Sequence, residues 1–113
     1  ALGSVEFYWG VFDELENKSM LSLADSIRNK RDKAVVFIVS KRGEKLAGLL
    51  ALSRELSQRL SAVELFRLVA SKLGGGGGGR QDLAQGGLQS LEPLEEALKE
   101  LKDAIIKSLE VEG

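Results

Sequence analysis

"GGGGGGRQDLAQGG", residues 74–87, poses the question on which the fold turns. Six successive glycines are either a tether between two folding units or an internal part of one. A tether would leave 73 residues before the run and 34 after it. A 34-residue piece with no cysteine and no histidine has neither disulfides nor a metal site to hold it together. It falls below the roughly 40 residues needed to fold alone. The glycines are therefore expected inside a single domain spanning residues 1–113.

The flanking segments agree. "SAVELFRLVASKL" before the run opens with Ser61 and Glu64, a capping box. Val63, Phe66, Val69, Ala70 and Leu73 then recur at helical spacing up to the glycines. After the run, a short strand is expected near 83–88. "LEPLEEALKELKDAIIKSLE" then places Leu94, Leu98, Leu101, Ile105 and Leu109 on one helical stripe, with Pro93 in the first turn and acids leading. Further back, "AVVFIVS" reads as a strand covered on both faces. "KRGE" is a turn, and "KLAGLLALS" is the second arm of a hairpin. "SMLSLADSIRNKRD" places Met20, Leu23, Ala24 and Ile27 on one helical face, with Ser19 as the N-cap. "VEFYWGVF" alternates, which predicts a strand with Val5, Phe7, Trp9 and Val11 on one buried face. Tyr8 and Trp9 read as core residues. The expected fold is α/β (α+β): a single sheet of about four strands with helices packed on it. Its order is strand, helix, strand, strand, helix, glycine loop, helix.

Ordering six glycines costs about 0.4–1 kcal/mol each beyond what alanine would cost. Such a run is ordered for a reason or stays mobile. Without Cβ atoms, successive N–H groups can approach a ligand backbone and form a concavity for phosphate. Three readings follow: a loop contacting phosphate or nucleic acid, a mobile structural loop, or a nucleotide-cofactor loop. The third fits poorly, because the run follows a helix rather than a strand and no Lys-Ser/Thr pair closes it. No cofactor is expected.

Composition narrows the chemistry. The absence of cysteine and histidine removes thiolate nucleophiles, thiolate metal sites and imidazole acid–base catalysis. No apolar run approaches the roughly 18–20 residues of a membrane span, and no signal segment opens the chain. The start "ALGSVEF" reads as an arbitrary cut, so a piece of a longer protein is expected. Net charge is −1, yet residues 28–80 carry twelve Lys/Arg against four acids, between two acidic ends. One electropositive surface is a natural outcome of that distribution.

The residues Gly74 to Gly79, Arg80, Gln81, Asp82, Leu83, Ala84, Gln85, Gly86 and Gly87 fit a pattern G-G-x-G-G-G-R-x-D-x-A-Q-x-G. It resembles the signature of the domain at the C-terminus of alanyl-tRNA synthetases, the DHHA1-like or C-Ala domain. Relatives of that domain accompany DHH-type phosphoesterases and alanyl editing proteins. The resemblance runs from about Val5 to Leu109. Gly76 stands where the family often carries a lysine or another polar residue, and Gln81 where proline is common. The resemblance implies a non-catalytic module of a cytoplasmic synthetase. It binds tRNA, tRNA(Ala) in the parent, in part near the outer corner of the L, and helps bring the aminoacylation and editing parts together.

On that reading Gly76, Gly77, Gly78, Gly79, Arg80 and Gln85 meet the sugar–phosphate backbone. Lys41, Arg42 and Lys45 on the hairpin tip, with Arg28, Lys30, Arg31 and Lys33, attract RNA and other nucleic acid from a distance. Asp82 is expected to accept hydrogen bonds from nearby loop N–H groups. Two other classes stand beside this one. The chain could be the nucleic-acid-binding lobe of a DHH-type phosphoesterase, although such relatives usually show a histidine in the glycine motif. Or it is an interaction or dimerisation domain that uses the leucine stripe of the last helix.

Overall fold

The computed structural model describes residues 5–112, and side chains as far as Leu109. Five strands form one mixed sheet: β1 (Glu6–Asp13), β2 (Ala34–Arg42), β3 (Lys45–Leu52), β4 (Gly75–Gly79) and β5 (Leu83–Leu88). Three helices join them: α1 (Asn17–Arg28), α2 (Ala62–Leu73) and α3 (Leu94–Glu112). The strand order across the sheet is β1-β2-β3-β5-β4. β1 runs parallel to β2, and every other pairing is antiparallel.

The two faces of the sheet bury different helices. Val35, Phe37, Val39, Leu50, Leu52, Ala84 and Leu88 point toward α2 and α3 and close the larger core with Phe66, Val69, Leu101 and Ile105. Val36, Ile38, Leu49, Ala51 and Leu83 point the other way and pack under Met20 and Ala24 of α1. β2 is therefore buried from Ala34 to Ser40, as its unbroken apolar run predicts. Two buried serines tie its ends to neighbouring loops. Ser40 exchanges hydrogen bonds with Leu15 N and O, and Ser53 accepts from Ala34 N while donating to Asp32 O.

Several local expectations change. The glycine run is not a loop but the fifth strand. β4 pairs with β5 from Gly75↔Leu88 to Gly79↔Ala84. Propensity disfavours glycine in strands, but registry with a partner strand and α2 behind it overrides that preference. β1 is an edge strand, and its expected buried face stops at Phe7. Trp9 is 49 % exposed and Val11 37 %. α3 closes on that face at Phe7, where Lys102 lies 5.2 Å from the ring centroid, and leaves Trp9 beside an open groove along Glu95, Leu98 and Lys99. Glu16, not Ser19, is the N-cap of α1. Ser61 does cap α2, accepting from Glu64 N at 3.4 Å. The stripe of α3 lies in the core, with Leu98, Leu101 and Ile105 buried and Leu94 and Leu109 packed against them. It offers no free dimerisation face.

The glycines of β4 differ by parity. A Cβ on Gly77 would collide with Gln85 O and lie 2.6 Å from Gly86 Cα. One on Gly86 would lie 2.6 Å from Gly77 Cα. Gly75 and Gly79 would likewise strike the β5 backbone, whereas a Cβ on Gly76 or Gly78 meets nothing within 4 Å. Gly77→Ala is accordingly expected to lower stability by about 1–3 kcal/mol, as overpacking does. Gly78→Ala should leave it unchanged or raise it by roughly 0.4–1 kcal/mol. Thermal melts of the two variants check this; equal melting temperatures would contradict the parity.

Candidate nucleic-acid interface

The sheet places the glycine strand at its open side. Arg80 N donates to Leu83 O at 2.9 Å just beyond the β4–β5 ladder. Antiparallel pairs alternate between hydrogen-bonded and non-bonded. Counting back from Arg80, Gly78 and Gly76 bond to β5, while Gly79, Gly77 and Gly75 turn their N–H and C=O groups outward. The close Gly77–Gly86 approach fits, since non-bonded pairs sit nearer together. The free edge thus offers peptide donors at every second residue, with no side chain over them. All of Gly75–Gly79 is exposed. On the α1 side of the sheet, α1 covers β2, β3 and Leu83 at the start of β5, and leaves the rest of β5 and β4 open. Gly76, Gly78, Gln85 and Gly87 share that open face.

The cations predicted for the site fall at two opposite ends of the sheet rather than on one patch. Lys41, Arg42 and Lys45 are exposed at the β2–β3 tip, where Gly43 takes φ +65°. The tip adjoins the Gly75 end of β4. An open cleft of about 740 Å³ runs from Arg42 and Lys45 to Gln85 and Gly86. Glu14 sits in the same cleft and accepts a hydrogen bond from Gly43 N at 3.0 Å, so the tip is not purely basic. Arg80 lies at the far end with Arg28, Lys30, Arg31 and Lys33. The five residues of β4 separate the two ends by roughly 17 Å.

Arg28 does something other than attract a ligand. Its side chain is 11 % exposed and bonds Asp25 at 2.8 Å. Nη1 donates to Asp82 O at 2.7 Å and Leu52 O at 3.3 Å. Leu52 N also donates to Asp82 O, and Ala62 N to Gln81 O. The β4–β5 turn is therefore held from α1, β3 and α2 together. Arg31 is likewise engaged, stacked 4.9 Å from the Tyr8 centroid and donating to its hydroxyl at 2.6 Å. Lys30 is exposed.

Arg80 remains 72 % exposed, with Nε donating to Asp82 Oδ1 at 2.7 Å. Asp82 therefore binds two arginines, Arg28 lying 3.7 Å from its other oxygen, and its carboxylate also accepts from its own backbone N–H, as the sequence reading expected of a loop aspartate. The hydrogen bond from Arg80 is the main cause that lowers the Asp82 pKa below its ordinary 3.8, against a partial desolvation that raises it. Sequence reading missed Arg54, Asn29 and Gln58, which border Arg80 in a second open cleft of about 870 Å³. No motif marks them. Only the pairing of β3 with β5 brings the end of β3 beside Arg80. Among the described residues no cluster of carboxylates suited to a metal ion occurs, and no helix is long and apolar enough to cross a membrane.

An exposed glycine edge, a clamped arginine turn and a basic hairpin, set on a β1-β2-β3-β5-β4 sheet, define one class of α+β domain. The DHHA1 domain family model matches residues 5–107, and the chain belongs to that family. The structure of the C-Ala domain of Aquifex aeolicus alanyl-tRNA synthetase superposes with a TM-score of 0.82 at 42 % identity, covering 88 % of this chain and 90 % of that one. The alanine–tRNA ligases of Ruthia magnifica and Haemophilus influenzae are each 33 % identical, over 84 % and 86 % of the chain. The chain spans 11 % of the length of either ligase. RecJ of Thermus thermophilus, in complex with Mg2+, shares the fold alone, with a TM-score of 0.67 at 17 % identity over 95 % of this chain and 15 % of that one. The resemblance read from the glycine signature is thereby borne out.

A carboxylate whose pKa is depressed in the folded state contributes stability above its unfolded pKa and loses it as pH falls through the folded one. Arg80→Ala is therefore expected to be less stable than the wild type at neutral pH, the difference shrinking as pH drops below about 4. Melting temperatures of both proteins across pH 2–7 test the sign; a gap that is constant or widens in acid contradicts the coupling.

Proposed function

We propose that this chain is the tRNA-binding C-terminal domain of an alanyl-tRNA synthetase, and that it takes no part in the chemistry itself. The observation that carries the reading is the free edge of β4. Alternate peptide N–H groups face outward there, no side chain intervenes, and cationic groups stand at both ends. A phosphodiester backbone laid along β4 meets donors along its length, the Lys41–Arg42–Lys45 tip at one end and Arg80 at the other. Gln85 and the glycines on the open face lie beside it. Such contacts position an RNA without reading its sequence, so binding is tolerant of tRNA identity. In the parent protein the ligand is tRNA(Ala), contacted toward the outer corner of the L. The domain's other partners are the aminoacylation and editing parts of the same cytoplasmic enzyme. The phosphoesterase reading has only the shared fold of RecJ behind it and is not pursued.

Affinity for tRNA is expected to fall by about 0.7–0.9 log units per log unit of salt for each phosphate neutralised. Replacing Lys41, Arg42 and Lys45 by Ala should flatten that slope with the melting temperature unchanged. Gly76→Ala with Gly78→Ala, which adds methyl groups where the fold has room, should weaken binding at fixed salt without destabilising the protein. Filter binding or calorimetry against melting curves measures both. Full affinity in the glycine variant would return β4 to a purely structural role.

A further inference from the structure

The second cleft lies beyond the ends of β3 and β4, at the start of β5, where the clamped turn forms one wall. Arg54 leaves the end of β3 and Arg80 the end of β4, one on each side of β5, so about two strand spacings separate them. Charge within the cleft is uneven. Arg28 and Arg80 are balanced by Asp25 and Asp82, with which they pair. Arg54 is the surplus cation, exposed and engaged by no other side chain among the described residues. Glu55 and Asp32 border an adjoining hollow that shares Arg28, Asn29, Arg54 and Gln58 with this cleft.

The remaining wall is carboxamide: Asn29 after α1, Gln58 in the 3-10 turn Leu56–Gln58, and Gln81 in the β4–β5 turn. Their side chains are exposed, and none is engaged by another side chain among the described residues. Carboxamides carry a donor and an acceptor side by side, the complement of a nucleobase edge. Guanidinium planes bind phosphate and also stack on unstacked bases. A volume of about 870 Å³ is in the range of small-ligand sites. Two arginines beside three unoccupied carboxamides form a set suited to one nucleotide with its phosphate.

We propose that this cleft is a binding site for a single unstacked nucleotide of an RNA strand. Its phosphate sits between Arg54 and Arg80, and its base edge meets Asn29, Gln58 and Gln81. Arg28 is a positioning residue. It donates to the Asp82 carbonyl at 2.7 Å and so fixes the turn that carries Arg80 and Gln81, while Arg80 bonds the Asp82 carboxylate through Nε. The site rests on the tRNA reading above; it shares Arg80 with the end of the β4 edge and is separate from the hairpin tip.

The test compares tRNA binding by the wild type, Arg54→Ala, Gln58→Ala/Gln81→Ala, and the hairpin triple variant, each across a salt series and each checked by thermal melt. Arg54 and both glutamines are exposed, so these variants are expected to fold. Arg54→Ala should reduce the salt slope by about 0.7, the contribution of one single-stranded phosphate. The glutamine pair should weaken binding about tenfold, the loss of two neutral hydrogen bonds, with the slope unchanged. A mononucleotide 5′-monophosphate titrated against the wild type should shift the amide signals of Asn29, Gln58 and Gln81, and inorganic phosphate alone should not reproduce those shifts. If Arg54→Ala and the glutamine pair bind as the wild type does while the hairpin triple weakens, the nucleotide site is overturned and the tRNA reading stands. If Arg54→Ala alters the slope but the glutamine pair binds normally, the cleft holds phosphate only and the nucleotide assignment falls. If the wild type binds no tRNA, both readings fall together.

Discussion

Gly77 and Gly86 face each other across β4 and β5 so closely that neither has room for a Cβ. The rest of the molecule depends on that approach. It seats a strand without side chains as the outer member of the sheet and puts α2 directly behind it. It carries the chain straight from Gly74, the C-cap of α2 at φ +80°, into the ladder. Ser90 N and Gln89 N then return to the last carbonyls of α2. The start of α3 is thus fixed relative to the glycine strand. A side chain at 77 or 86 would push β4 away from β5 and loosen each of these attachments.

The second constraint is the turn at Arg80–Asp82. Its backbone carbonyls are taken by Ala62 N, Leu52 N and Arg28, donors from three different elements. Arg28 makes the tightest join, since α1 otherwise sits on the opposite face from α2 and α3. A nearly buried guanidinium with three partners holds its neighbours at definite distances, as a mobile surface lysine would not. This rigid corner keeps an exposed arginine at a set place beside an otherwise featureless edge.

Much of the architecture was legible because its signals are local. The apolar run of β2, the stripe of α3 and the Ser61 cap each follow from short-range periodicity or a single hydrogen bond. The glycine strand was not, because its conformation is imposed by β5 and α2 and glycine has no preference of its own to display. Trp9 and Val11 alternate like core residues, but alternation cannot tell whether a helix packs closely enough to cover them. Arg28 and Arg80 look alike in sequence. One became a clamp and the other stayed exposed because α1 ends directly above the β4–β5 turn, a matter of topology. Arg54, Asn29 and Gln58 carried no pattern at all, and their proximity exists only once β3 and β5 are paired.

The parity of β4 also bears on how such a stretch can change over time. Positions 75, 77 and 79 are closed to substitution by the neighbouring backbone, whereas 76 and 78 open onto empty space. Packing alone would let the run drift at every second residue while the fold persisted. The signature that the chain resembles, G-G-x-G-G-G-R, admits other residues at the first open position and keeps glycine at the second. Gly78 is therefore a glycine that packing within the fold does not require, and on the proposed reading it is the RNA backbone lying over it that would exclude a side chain.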